Sequence, residues 1–464
     1  MKKIYIVLVI SFFATLAYAF VFRIHPVVDA KAYDRIAENI LAGNGFVENQ
    51  SVPIERDSAI IRVGPLYQYF LAGVYRVFGH RYEAVWIIQA LLHIATAFIT
   101  YNIAYVIFCS RREREIIALA AAAAIAFYPD LIEISAMLMT ETLYLFLWSL
   151  FVYLFLRYVN KTSVGRGDVF RRWLGSLSNF LRTRQGLNRE KPAWPYVLFL
   201  GIVGGLAVLA RPPILFVLPA AVYFFWRRRR LDLLILFAAA LVLIWTPWTI
   251  HNYATFNRFM PFGGAGNYNF WIGNHPGANG EQETGAEIAD FLQKNGAVAL
   301  YDASLPGFLS FARAEPFQFM RLTLLRVNHY FSIVRPMGFW FYDSGWSQAM
   351  FVVSSALASL LLFVFALYGL MRTWHEREPA LSYLIAFTIL TPLILFVTVV
   401  ETRYRFQIYP LLAVLAGFGA VDFVTQRGWR NKSFAFAAAL VFLNGGVDAM
   451  LSLNKLSERL KMWF

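Results

Sequence analysis

The sequence predicts an all-α polytopic membrane protein of about eleven transmembrane helices, on three grounds. Of its 464 residues, 59% are hydrophobic and only 15% charged, where soluble domains carry about a quarter charged residues. The apolar residues gather in runs long enough, or nearly so, to cross a bilayer of about 30 Å. The basic residues fall in the short loops between those runs, so the net charge of +14 is a topology signature and not a duplex-binding stripe. No nucleic-acid partner is expected. The one cysteine, Cys109, excludes an internal disulfide and any Cys-based metal centre.

The first expected span covers residues 4–22. Met1-Lys2-Lys3 and the A-x-A pattern at Ala17-Tyr18-Ala19 also fit a secretory signal. The apolar run of about 19 residues is long enough to cross, however, and a retained helix is expected. Further spans are expected at 84–109, 116–129, 134–158, 195–210, 213–226, 231–248, 348–370, 381–400, 408–424 and 433–450. With the N-terminus cytoplasmic, the loops 111–115, 157–194, 227–230, 371–378 and 425–432 face the cytoplasm. Together with Lys2 and Lys3 these loops hold 23 of the 42 Lys and Arg residues; with the interface residues Asp232 and Asp422 counted in, they hold 8 of the 28 acids. That asymmetry is the positive-inside rule. The chain reads as one transmembrane module, 1–464, with two long extracytoplasmic loops at 23–83 and 249–347.

The first loop carries two amphipathic stretches. Tyr33, Ile36, Ala37, Ile40 and Leu41 repeat at helical spacing until Gly43, and Leu66, Tyr69, Phe70, Gly73, Val74 and Val77 do so after Pro65. Both predict short helices at the membrane surface. In the second loop, the Gly- and Asn-rich stretch 263–280 is expected to be a flexible loop. It matches no phosphate-cradling motif, so no nucleotide cofactor is expected.

Charged residues at bilayer depth are costly and therefore functional candidates. Asp29, Arg62, Asp130, Glu141, Arg211, Glu401, Arg403 and Arg405 come from five parts of the chain and all fall at or just below the outer surface. They point to one pocket, with Glu141 about two turns inside the outer end of its helix. Each has a plainer alternative. Asp29 can N-cap the helix starting at Ala30, Arg211 can snorkel to headgroups, Glu141 can bridge neighbouring helices, and Arg403 and Arg405 can hold lipid phosphate without specificity. Asp34 and Glu38 read as solvated. Tyr33, Asp130, His251, Asn252, Glu401 and Tyr404 are candidates for substrate contacts; the histidines show no zinc-type spacing.

At these residues the chain resembles the GT-C glycosyltransferases of the protein O-mannosyltransferase and aminoarabinose-transferase type. The resemblance is carried by D-A-K-A-Y-D-R-I-A-E-N-I-L-A-G-N-G-F from Asp29, by 61–79, 128–144, 205–212 and 247–253, and by E-T-R-Y-R-F-Q-I-Y-P at 401–410. It implies a GT-C fold and a polyprenyl-phosphate sugar donor, such as an undecaprenyl-phosphate sugar, used at the outer face of a bacterial or archaeal plasma membrane. It implies an acceptor hydroxyl on protein, lipid or glycan. Asp29 matches the family's first-loop catalytic aspartate, with Glu141 a second catalytic candidate. Arg62, Arg211, Arg403 and Arg405 are the candidates for the donor phosphate. Many relatives have an acidic pair where Ala30 follows Asp29, which leaves a divalent cation open. A transporter or lipid flippase is the alternative reading, disfavoured because no inverted repeat is visible and the polar residues gather at one face.

Overall fold

A computed structural model of the chain describes residues 2–62, 64–160, 193–282, 284–335, 345–376 and 378–463. Its named elements, among the described residues, are all helices. The transmembrane and loop helices of the first half are α1 (Lys2–Phe22), α2 (Asp29–Leu41), α3 (Leu66–Phe78), α4 (Tyr82–Ile107), α5 (Arg114–Ala126), α6 (Pro129–Ser135) and α7 (Thr140–Val159). There follow α8 (Trp194–Ala210), α9 (Leu218–Arg227), α10 (Leu231–Phe256), α11 (Ala265–Ile272), α12 (Ala286–Asn295), α13 (Ala297–Ala314) and α14 (Pro316–Phe331). The chain closes with α15 (Trp346–Thr373), α16 (Pro379–Leu390), α17 (Leu393–Val397), α18 (Tyr409–Thr425), α19 (Lys432–Leu451) and α20 (Leu453–Trp463).

Among the described residues, 8 helices are long and apolar enough to cross a membrane, or 9 if the bent pair α5–α6 is one span. The shorter apolar helices at Trp194–Ala210 and Pro212–Arg227 occupy the other two places the sequence assigns to spans. The protein is an integral, multi-pass membrane protein. The basic loop expected at 157–194 lies almost wholly outside the described residues.

The span expected at 134–158 is corrected. Pro129 begins α6 after an extended Tyr128, as the steric restriction before proline favours, and α6 leaves α5 at 53°. Gln89 of α4 then donates to the carbonyls of Ser135 (2.9 Å) and Met137 (2.7 Å). Met139 is extended, so the span restarts only at Thr140. Glu141 therefore sits in the first turn of α7, not two turns inside it.

The bundle centre is α18, packed between α5 and α15. The sequence permits this approach through small residues. A Cβ on Gly417 would lie 2.6 Å from the Ile117 carbonyl, and Cβ atoms on Gly369 and Gly419 would collide with the carbonyls of Leu415 and Phe365. Gly369→Val is accordingly expected to lower stability by about 3 kcal/mol, read as a fall in the melting temperature of the detergent-solubilised protein. Unchanged melting would mean that α15 and α18 do not pack this closely.

The stretch 263–280 is also corrected, because it is pinned and partly helical. Buried Asn274 donates to the Val397 carbonyl at 2.9 Å. Buried Arg326 donates to the Asn274 side chain (3.1 Å), the Phe396 carbonyl (3.2 Å) and the Gly273 carbonyl. These contacts press the second loop onto the break after α17. At the opposite end of the bundle, Arg111 pairs with Glu376 and Arg372 with Asp422 at 3.0 Å, so the loops 111–115 and 371–378 share one side.

Candidate active site

Four helix ends and the first loop meet at one end of the bundle, and their charged residues meet there too. Val28 has φ +46°, a value rare for a β-branched residue, and the turn it makes sets Asp29 at the start of α2. No side chain caps α2. The Asp29 carboxylate is instead shared between two arginines: Arg62 donates to one oxygen at 2.9 Å and Arg403 to the other at 2.8 Å.

Arg62 is placed by a buried loop residue. Asp57 accepts from the backbone amides of Glu48 (2.9 Å), Asn49 (2.9 Å) and Ala59 (2.8 Å), folding 47–62 into a compact hook. Glu48 then grips Arg62 with both oxygens, at 2.9 and 3.0 Å, the fork geometry that best fixes a guanidinium. Glu48 is missing from the sequence reading, since nothing in its local pattern marks an exposed-looking loop acid as an arginine ligand.

Deeper in, the 3-10 turn Thr402–Ile408 delivers Arg403, which also pairs with Glu401 at 2.7 Å and lies 3.8 Å from Glu141. Arg211, just past the end of α8, donates to Glu141 at 2.5 Å. It is buried and does not snorkel. The Tyr404 ring lies under both Arg211 (5.0 Å) and Arg403 (5.6 Å). With its amide nitrogen turned towards Glu401, Gln282 of the second loop donates to Glu401 at 2.8 Å and to the Tyr404 hydroxyl at 2.6 Å. Tyr33 is buried edge-on against Tyr67, one turn of α2 from Asp29.

Burial is graded across the cluster. The Asp29 and Arg62 side chains keep 24% and 23% of their exposure, whereas Glu141 keeps 2%. The rim is thus open to an incoming molecule, while Glu141 is closed off beneath the arginines. Burial alone would raise the Asp29 carboxyl, but the guanidinium groups of Arg403, Arg62 and Arg211 hold it below the ordinary aspartate range.

Other sequence candidates lie elsewhere. Arg405 is buried and donates to the backbone carbonyls of Ser332 (2.5 Å) and Arg335 (2.8 Å), so it ties down the second loop. Asp130 is buried and accepts from the Ser355 hydroxyl. His251 stacks on Trp248, and Asn252 donates to the Met260 carbonyl at 2.6 Å; both shape the exit from α10.

Asp34 and Glu38 are not simply solvated. Asp34 is buried and accepts from Tyr75 (2.6 Å) and Tyr82 (2.7 Å). His80 stands between the two acids, with Nε2 2.9 Å from Asp34 and Nδ1 3.5 Å from Glu38. Among the described residues this is the group able to hold a metal ion. One ion would take only one imidazole nitrogen, so as it stands the group is a hydrogen-bonded clasp joining α2 to α3 and α4.

The fold and this site together define a polytopic membrane protein with its charged cluster at one end of the bundle. The family model of dolichyl-phosphate-mannose-protein mannosyltransferases matches residues 62–176, about a quarter of the chain. Among solved structures, the apo oligosaccharyltransferase of Archaeoglobus fulgidus is 16% identical with a TM-score of 0.50, over 95% of this chain and 54% of that one. ArnT from Cupriavidus metallidurans bound to undecaprenyl phosphate is 14% identical with a TM-score of 0.48, over 98% of this chain and 72% of that one. The chain spans about half the length of the archaeal oligosaccharyltransferase it matches. At these identities the likeness is one of fold. No curated protein matches the sequence.

Proposed function

We propose that the protein is an inverting glycosyltransferase that moves a sugar from a polyprenyl-phosphate donor to an extracytoplasmic hydroxyl acceptor, with its N-terminus cytoplasmic. The observation that carries this reading is the Asp29 carboxylate held between Arg62 and Arg403 at the open rim of the site. The match of residues 62–176 to the model of dolichyl-phosphate-mannose-protein mannosyltransferases supports the same substrate class. The acceptor oxygen attacks the anomeric carbon and the carbon–oxygen bond to phosphate breaks. The proton passes to Asp29, and the electron pair leaves with the phosphate. Arg62, Arg211 and Arg403 offset the charge that develops there.

The same arginines serve both groups, and this couples the two steps. A donor phosphate that draws Arg62 or Arg403 from Asp29 removes the cations that depress its basicity. Asp29 thus becomes a better base only once the donor is seated. A group held below its usual range stays ionised until the pH falls through its lowered value. The acid limb of kcat/KM, which reports the free enzyme, is therefore expected below about pH 4. The limb of kcat is expected at higher pH. Coincident limbs would contradict the coupling.

Glu48 touches no reacting atom in this scheme and acts by positioning Arg62. Glu48→Gln is expected to raise KM for the donor about tenfold with a smaller change in kcat; an unchanged KM would remove Arg62 from the phosphate. The Asp34, Glu38 and His80 clasp is satisfied by its own hydrogen bonds, and EDTA is expected to leave transfer intact. The reading as a whole is tested by offering purified protein a panel of radiolabelled polyprenyl-phosphate sugars with envelope extracts as acceptor. Consumption of one donor, with an inverted anomeric centre in the product, supports it; retention of configuration rules out direct displacement.

A further inference from the structure

A second site stands at the far end of the bundle from Asp29. Where the C-terminal end of α9 faces the start of α16, a cavity of about 540 Å3 is lined by Phe224, Arg227, Arg228, Pro379 and Tyr383. We propose that it binds the phosphodiester headgroup of an anionic membrane lipid. The inference rests on the membrane topology and is independent of the catalytic assignment.

Three features select that ligand. The first is charge. Arg230 of the same run is neutralised within its own turn by Asp232 at 2.8 Å. Arg227 and Arg228 pair with no carboxylate among the described residues, and both residues line the cavity. Glu378, next to Pro379, lines a neighbouring cavity with Arg111 and Glu376 instead. The second is shape. The Arg228 guanidinium lies over the Phe224 ring at 5.6 Å, and Phe224, Pro379 and Tyr383 give the cavity an apolar wall that suits a glycerol backbone more than a free anion.

The third is depth. Exposed Tyr223 and Trp226 adjoin the lining residues along α9, exposed Val222 and Ile389 lie further along α9 and α16, and exposed Ile235 lies on α10. That order of residues sets the arginines at headgroup level, with acyl-chain surface adjoining. Basic pockets between helix ends bind lipid headgroups in this way.

The test is native mass spectrometry of purified protein exchanged into mixed phosphatidylglycerol and phosphatidylcholine micelles, comparing wild type, Arg227→Gln/Arg228→Gln and Arg229→Gln/Arg230→Gln. The two variants lose the same formal charge. Wild type is expected to retain phosphatidylglycerol about tenfold over phosphatidylcholine, the first variant to lose that preference and the second to keep it. Arg227→Lys/Arg228→Lys, which keeps the charge, guards against misfolding and is expected to hold most of the preference. Equal retention of the two lipids by wild type would overturn the proposal. So would equal loss in the two glutamine variants, which would make the attraction diffuse. Displacement by glycerol 3-phosphate as complete as by the lipid would make soluble phosphate the ligand and overturn the lipid assignment.

Discussion

Replacing Asp29 by asparagine is expected to lower kcat about a thousandfold, the scale of a positioned general base, while donor binding is kept or tightened, because the neutral side chain competes less with the donor phosphate for Arg62 and Arg403. Asparagine keeps the size of the side chain and one oxygen for Arg62 or Arg403, which meet the carboxylate at 2.9 and 2.8 Å. It cannot take the proton of the acceptor hydroxyl. The variant also separates two roles that the sequence left open, since a helix cap tolerates asparagine as well as aspartate. A capping residue would therefore give near-normal turnover on this substitution. Loss of donor binding together with turnover would instead make Asp29 a residue that orders the two arginines. The comparison needs both a single-turnover rate and a dissociation constant for the donor.

The second large effect is on stability. Glu141 and Arg211 pair at 2.5 Å with 2% and 10% of their side-chain surface exposed. Glu141→Ala leaves a buried guanidinium facing Arg403 and the Tyr404 ring without its nearest carboxylate. Breaking a buried pair from one side costs about 3–5 kcal/mol, and a marked fall in melting temperature is expected. Replacing both partners by apolar residues, Glu141→Leu with Arg211→Met, is expected to recover most of that loss, because no uncompensated charge remains. The double variant should nonetheless transfer poorly, since Arg211 is proposed to meet the donor phosphate. A stable and fully active double variant would reduce the pair to a structural bridge.

Much of this architecture is legible in the sequence because membrane helices announce themselves by length and apolarity, and topology by where arginine and lysine fall. The amphipathic helices after Phe22 and Pro65 are legible for the same reason, their apolar spacing being regular. The convergence of Asp29, Arg62, Glu141, Arg211, Glu401 and Arg403 is legible because each charge is costly where it lies. What the sequence does not reveal is set by tertiary hydrogen bonds. Gln89 interrupts the helix before Thr140 by taking the carbonyls of Ser135 and Met137, and no local pattern signals that. Glu48 and Gln282 enter the site from loops, where hydrophobic periodicity says nothing. Arg405 shares its motif with Arg403, yet a 3-10 turn points it at backbone carbonyls. Asp34 looks solvated on its helix because its partners Tyr75, His80 and Tyr82 lie more than forty residues on.

The site also bears on the transporter alternative. Substrate sites of transporters lie near the bilayer midplane on broken helices. Here the charges sit at helix ends: Glu141 in the first turn of α7, Arg211 just past α8 and Arg403 just before α18. That placement suits a reaction at one membrane face.

The most direct test is the release of free polyprenyl phosphate from a labelled donor by purified protein, with acceptor present, in wild type, Asp29→Asn and Arg403→Gln. The account predicts release by wild type, accompanied by stoichiometric transfer of sugar to acceptor, and loss of about three orders of magnitude in turnover for Asp29→Asn. Wild type that releases no polyprenyl phosphate from any donor, or Asp29→Asn that releases it at the wild-type rate, would contradict the account.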